Sequence, residues 1–396
     1  MKNLYLIVIF FLVISHIVSA QNESDEASLF TPEKRAIILN DDSTAWLNFR
    51  FRMQNRAGYF SKLDDDNNAG YDLRVRRLRL RIDGHFTQYK LSYYIQLSFS
   101  RSDQDFNNDN APNIVRDAII YYHFNENWYL GFGQSKLPGN RQRVISSGNI
   151  QMPDRSVANN TYTLDRDMGL FVYGKQKLFL NVIGKYKAAI SSGEGRNASF
   201  TNDGLAYTNR LEILPFGYFE NTGDYSEGDM EFEEKPKLSL GATYSYNHKT
   251  TRTGGQIGAN LPYYMNMRTF IADGIFKYRG FSLLGEFFYR TITGYQVPDV
   301  AVYANVPQGK AYMLQGSYML NPKNEIIARY SNVENDKDIF NNQLLHQTYA
   351  LGYTRYIYKH RLKFQTYIGI DNRTATPLNH ALNNRWVVLT QIEFGI

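Results

Sequence analysis

The chain has 396 residues, a formal charge of +6 and no cysteine, and its 31 tyrosines, 25 phenylalanines and 3 tryptophans raise the aromatic share to 15%. So many aromatic residues argue against a disordered chain, the missing cysteines exclude a disulfide framework and thiolate chemistry, and the modest charge gives no ground for a nucleic-acid partner. After the N-terminus no apolar run reaches the about 18 residues of a membrane helix.

Lys2 precedes the apolar run Leu4–Ile14, and Val18-Ser19-Ala20 follows as a small-residue cleavage site. This is the layout of a secretory signal peptide over 1–20. Residues 21–45 are polar and read as a periplasmic segment ahead of the first strand. Export without a later apolar helix leaves a secreted protein, a periplasmic protein or a membrane β-barrel.

From residue 46 one pattern recurs: apolar and polar residues alternate over stretches of about ten residues, the length a tilted strand needs to cross a bilayer. About sixteen stretches follow one another. They are 46–56, 72–86, 89–101, 115–125, 128–136, 167–175, 178–190, 205–215, 238–247, 267–278, 281–294, 310–320, 324–333, 346–357, 362–371 and 384–394. In the third, Leu91, Tyr93, Ile95, Leu97 and Phe99 oppose Ser92, Tyr94, Gln96, Ser98 and Ser100. In the ninth, Leu238, Leu240, Ala242, Tyr244 and Tyr246 oppose Ser239, Gly241, Thr243, Ser245 and Asn247. A sandwich would alternate too, but its outer face would carry more charge. Ser, Thr, Gly, Gln and Asn suit a wet lumen. The expected fold is all-β, a transmembrane antiparallel β-barrel over 46–396.

The connections alternate as well. Thr87-Gln88, Glu126-Asn127, Gln176-Lys177, Arg279-Gly280, Asn321-Pro322-Lys323 and Lys359-His360-Arg361 read as short turns; Ala57–Tyr71, Ser102–Ile114 and Asn335–Leu344 read as long polar loops. Short periplasmic turns and long extracellular loops are how outer-membrane barrels are built. Phe216–Lys237 breaks the rule, being long where a short turn is due: it is either a further hairpin or a periplasmic excursion. Trp46, Tyr59, Phe60, Phe86, Tyr89, Trp128, Tyr278, Phe281, Tyr295, Tyr356, Tyr358, Trp386 and Phe394 lie at segment ends, as girdles at the two membrane surfaces would.

Arg76-Arg77-Leu78-Arg79-Leu80, Val115-Arg116-Asp117-Ala118, Gly133-Gln134-Ser135-Lys136 and Asp165-Arg166-Asp167-Met168-Gly169, in that order and spacing, resemble the phosphate-selective porin O and P family. The likeness spreads over about 45–396 and is densest from 46 to 175. The resemblance implies a sixteen-stranded homotrimeric outer-membrane porin whose third extracellular loop folds into the pore. Phosphate or other small anions would be its solutes, and outer-membrane lipids and the barrel-assembly machinery its other partners. The long Phe216–Lys237 connection looks like a subgroup feature.

The chemistry of a pore is the charge at its constriction. Arg77, Arg79 and Arg81 share one face, about 6.8 Å apart at a strand rise of about 3.4 Å. Charge on the lipid side costs about 2–4 kcal/mol at the midplane, so they must face water. Arg50 and Arg52 precede them on the neighbouring stretch, and Asp83 is the only acid on the Arg77–Arg81 face. Such a row would attract anions and grip phosphate through guanidinium forks. Lys185 and Lys187 also fall on a lumen face. Leu137–Arg166 is the loop that would narrow the pore, with Lys136 at its edge and Arg141, Arg143, Arg155 and Arg166 against Asp154 and Asp165. Glu286 and Arg290 share a face, a spacing that suits an ion pair. The seven histidines are scattered, with no HExxH and no Gly-x-Ser-x-Gly, so no enzyme, metal or cofactor is expected. The reading is a passive diffusion channel that prefers anions. The alternatives are a general porin for small nutrients and, of another class, an outer-membrane enzyme or a plugged structural or adhesion barrel.

Overall fold

The computed structural model describes residues 36–61, 69–106, 112–198, 202–294, 306–336, 345–374 and 384–396. The signal peptide, Asp64–Asn68 and Tyr295 lie outside these residues, as do parts of the loops at 102–114 and 335–344.

Sixteen strands make one antiparallel sheet. They are β1 (Ala45–Phe60), β2 (Gly70–Phe86), β3 (Leu91–Ser98), β4 (Val115–His123), β5 (Trp128–Lys136), β6 (Arg166–Phe179), β7 (Val182–Ser191) and β8 (Ala206–Leu214). The second half comprises β9 (Lys237–Arg252), β10 (Asn260–Tyr278), β11 (Phe281–Thr293), β12 (Gly309–Asn321), β13 (Asn324–Asn335), β14 (Leu345–Tyr358), β15 (Leu362–Thr374) and β16 (Arg385–Gly395). Each strand pairs with the next. β16 returns to β1, with Val387 opposite Phe60 and Gly395 opposite Arg52, so the sheet closes and leaves no edge. Ile37–Ile38 pairs with β1 opposite Leu47 and Trp46.

The alternation read from the sequence is the inside–outside alternation of the wall. Ser239, Thr243, Ser245 and Asn247 are buried inside, while Leu240 and Tyr244 are exposed on the outer face. Arg279 and Gly280 both take positive φ, 48° and 83°, the two-residue turn whose twist suits a tight hairpin between β10 and β11. Two expectations need correction. The turn placed at Gln176-Lys177 lies later: β6 runs on to Phe179, and Leu180, at φ 46°, makes the turn. Trp46 and Tyr356 are not girdle residues. Trp46 stands two residues before Asn48 on the lumen face, and Tyr356 is buried inside, donating to Glu325 Oε2 at 2.6 Å.

Candidate functional site

The two arginine rows stand side by side. Arg50 lies opposite Arg81, Arg52 opposite Arg79 and Gln54 opposite Arg77. Like charges directly across a ladder repel, and few acids answer them. Asp83 accepts from Arg81 Nε at 2.7 Å. Asp103 takes Arg79 at both oxygens, 2.5 and 2.8 Å. Glu393 stands 4.0 Å from Arg52. Arg77 donates to Gln54 Oε1 at 2.7 Å and has no ion-pair partner among the described residues.

Two bulges add arginines that strict alternation would have turned outward. Gln54 pairs with Arg77 but Asn55 pairs with Val75, so Arg76 is the extra residue on β2. Gln96 pairs with Asp117 but Leu97 pairs with Val115, so Arg116 is the extra residue on β4. A bulge bends its strand and re-aims a side chain. Here Arg76 and Arg77, and likewise Arg116 and Asp117, all reach the lumen although they are neighbours in sequence.

The loop between β5 and β6 carries two short helices, α1 (Arg141–Val144) and α2 (Val157–Tyr162); Ser156 caps α2 by accepting from Asn159 N at 3.1 Å. It is anchored on both sides of the lumen: Arg52, Gln54 and Arg79 reach Ser146 and Ser147, Arg56 and Arg76 pair with Asp154, Arg210 donates to Gly139 O, and inward-facing groups of β9–β15 hold the rest. Glu286 accepts from Gln142 N at 2.6 Å and Asn140 Nδ2 at 3.0 Å, and Arg290 donates to Tyr162 O at 3.0 Å. The Glu286–Arg290 pair suggested by spacing is therefore not formed; each serves the loop instead. Tyr162 reaches Asn335 at 3.1 Å, and Lys363 Nζ donates to Gly148 O and Ile150 O at 2.6 and 2.8 Å. Arg141 is fully buried on this anchored side, its Nε 3.0 Å from Asp273 Oδ1. It is a root of the loop, turned away from the arginine wall. Lys136, Arg143 and Arg155 turn toward that wall. Arg143 pairs with Asp165, and Arg155 donates to Gln142 O and Ile145 O at 2.5 and 2.9 Å.

Between loop and wall lies a chamber. Among the described residues, Arg76, Arg77, Arg79, Arg116, Lys136, Arg143, Arg155, Arg166 and Arg196 line it, against Asp103 and Asp165. Asp154 and Asp117 meet Arg76 and Arg166 from beside the chamber, and the cations still outnumber the carboxylates. Burial would raise the Asp103 carboxyl, but Arg79 and Arg116 hold it well below the usual carboxylate range, so it stays charged. Of the cations, Arg76, Arg116 and Arg196 escaped the strand-by-strand reading. The first two arrive by bulges and the third by a loop.

The Phe216–Lys237 connection is no hairpin. It forms a 3-10 turn (Glu220–Tyr225) and folds into the barrel mouth on the short-turn side. Glu227 accepts from Gln142 Nε2 at 2.9 Å and Gln151 N at 2.9 Å, both on the inserted loop, and from Gln315 Nε2 of β12 at 3.0 Å. Lys185 and Lys187, expected as pore lining, face inward and grip this segment. Lys185 Nζ lies 2.6 Å from Asp224 Oδ2, Lys187 Nζ donates to the Tyr225 hydroxyl at 2.6 Å, and both ammonium groups stand over the Tyr225 ring. Lysine at that spacing carries no mark that separates solute contact from a structural grip.

A closed sixteen-stranded barrel with an inserted loop and a charged chamber defines a porin-type channel. The profile of the phosphate-selective porin O and P family matches residues 47–396, and the chain belongs to that family. Solved structures agree on the fold. An anion-selective porin from Comamonas acidovorans is 11% identical with a TM-score of 0.56, covering 89% of this chain and 100% of that one. OmpT of Vibrio cholerae is 11% identical at 0.55, covering 90% and 100%. The outer-membrane channel DcaP of Acinetobacter baumannii is 13% identical at 0.54, covering 90% and 99%. No curated protein matches this chain in sequence.

Proposed function

We propose that the chain is a passive outer-membrane channel that prefers small anions, phosphate among them. The observation that carries this reading is the chamber of nine cations and two carboxylates beside the inserted loop. Guanidinium groups bind phosphate oxygens in pairs, and a confined positive field enriches anions. A row of sites along β1 and β2 lets an anion pass from one to the next, as conduction requires. Arg50, Arg52, Arg77, Arg79 and Arg81 form the row, and Lys136, Arg143 and Arg155 face it from the loop. The anion selectivity of the Comamonas porin supports the reading by likeness of fold.

Three further assignments follow. Residues 1–20 are removed on export. The segment before β1 sits on the periplasmic side, where Ile37–Ile38 meets Leu47 and Trp46. The assembly is a homotrimer, a form in which OmpT of Vibrio cholerae also occurs. Reversal potential in a KCl gradient across a planar bilayer tests the channel reading. Anion preference that weakens with salt is expected. A reversal potential at the value for equal permeabilities hands the function to a general porin.

A further inference from the structure

The lumen holds a second cavity next to the chamber, with a different lining. Tyr94, Tyr121, Tyr129, Tyr173 and Tyr225 border it, and Lys136 belongs to both spaces. Tyr129 and Tyr173 sit opposite each other on β5 and β6, with ring centroids 4.6 Å apart and planes 12° apart. Tyr121 meets Tyr129 edge-on at 5.6 Å. Small ions need no aromatic wall. Rings in a water-filled lumen offer apolar faces with polar tips, the means of holding a molecule that is itself part apolar and part polar.

The same cavity contains an orphan acceptor. Asp117 Oδ1 accepts from Arg166 Nε at 2.9 Å, while its Oδ2 is buried and has no hydrogen-bond partner among the described residues. A buried carboxylate oxygen left unpaired is costly, so a hydroxyl donor that reaches it would gain a hydrogen bond. A flat hydrocarbon ring has none to give. A sugar ring has both faces of the match: C–H groups for the tyrosines and hydroxyl donors for Asp117, with Ser135 beside it.

We propose that this cleft binds the ring of a phosphorylated sugar while the phosphate remains in the chamber on Lys136 and the adjoining arginines. The channel then carries sugar phosphates. This rests on the anion-channel reading above and adds a solute class to it.

Current block in planar bilayers tests it with the full-length protein. Inorganic phosphate, glycerol 3-phosphate, phenyl phosphate and glucose 6-phosphate are compared. Glucose 6-phosphate should reach half-block at a concentration at least about five-fold below that of glycerol 3-phosphate, which has the same head and no ring. Tyr129→Leu and Tyr173→Leu should erase that ratio, Tyr129→Phe should keep most of it, and Asp117→Asn should reduce it, while block by inorganic phosphate stays unchanged in the tyrosine variants. Equal block by the two organic phosphates in the natural protein, or a ratio that survives both leucine variants, overturns the sugar subsite alone. Phenyl phosphate matching glucose 6-phosphate overturns the sugar and leaves a general ring site. If no phosphate compound blocks the current at all, the sugar-phosphate proposal falls with phosphate binding itself, and the reversal potential alone decides anion preference.

Discussion

Arg77 is the arginine whose charge can be altered with least collateral change. Arg79 and Arg81 each neutralise an aspartate, so removing either exposes a negative charge, whereas Arg77 holds only the neutral Gln54. The effect on selectivity can be sized. For an ion about 8 Å away in a confined pore of effective dielectric about 40, one charge contributes about 1 kcal/mol. At 0.1 M salt the Debye length of about 10 Å cuts this to roughly half. The term has opposite signs for an anion and a cation, so each unit of charge moves their permeability ratio by about 1 kcal/mol, about five-fold. Arg77→Gln should therefore lower the anion-to-cation ratio about five-fold at 0.1 M, and Arg77→Glu, two units, about thirty-fold. At 1 M the Debye length is about 3 Å, and even the Glu variant should change the ratio by less than about two-fold. Arg77→Lys should leave it unchanged but weaken block by phosphate, because an ammonium lacks the planar fork. Reversal potentials in KCl gradients at the two salt levels give all four values. A Glu variant with an unaltered reversal potential at 0.1 M refutes the argument: Arg77 would then be scaffolding in the wall, outside the path of the ions.

Deleting part of Gly139–Val157 should raise single-channel conductance, read in planar bilayers; an unchanged conductance would put the loop outside the path. Glu227→Ala removes the acceptor of Gln142 Nε2 and Gln151 N, while Gln315 Nε2 keeps Gln151 Oε1, and should cost on the order of 1–3 kcal/mol of barrel stability per unsatisfied group at most, seen as a lower thermal unfolding temperature and a noisier open channel. Unaltered noise and melting would mean that the Glu227 contacts do not hold the loop. A cysteine introduced at Asp203 should be labelled in intact cells and one at Gln88 should not; the reverse pattern inverts the topology.

Much of the barrel is legible because a strand's period is two and the two sides of this wall face different solvents. Each of the sixteen stretches became a strand, and Arg50, Arg52, Arg77, Arg79 and Arg81 fell on the lumen face as alternation requires. Where alternation stops, so does the reading. Arg76 and Arg116 sit at bulges, which shift the parity by one and leave no signature in composition. Arg141 and Arg143 are two residues apart in one short helix, and their opposite fates depend on Asp273 and Asp165. Asp273 lies on a strand more than a hundred residues from Arg141. Lys185 and Lys187 read as solute contacts until Asp224 and Tyr225 arrive from a connection whose inward fold has no periodic signal.

The lumen sorts its charges by side, and this explains why a barrel with many acids inside can hold a cationic path. Asp273, Glu286 and Glu325 are buried under the inserted loop, meeting Arg141, Asn140, Gln142 and Gln151. Glu227 rises from the mouth segment to the same loop. Each carboxylate is engaged by groups that face away from the arginine wall, and the loop stands between them and that wall. Acids scattered evenly around the lumen would cancel the field at the centre. Asp273, Glu286, Glu325 and Glu227 sit behind the loop and help to hold it, while the acids on the side along β1 to β5, Asp83, Asp103, Asp117 and Asp154, each pair with one of its more numerous arginines. The loop thus narrows the pore and screens one wall from the other. A loop deletion should therefore lower anion preference while it raises conductance, because Glu286, freed of Asn140 and Gln142, would then face the path, whereas Asp273 stays with Arg210. A merely steric constriction would change conductance alone, and the two outcomes separate in one pair of recordings.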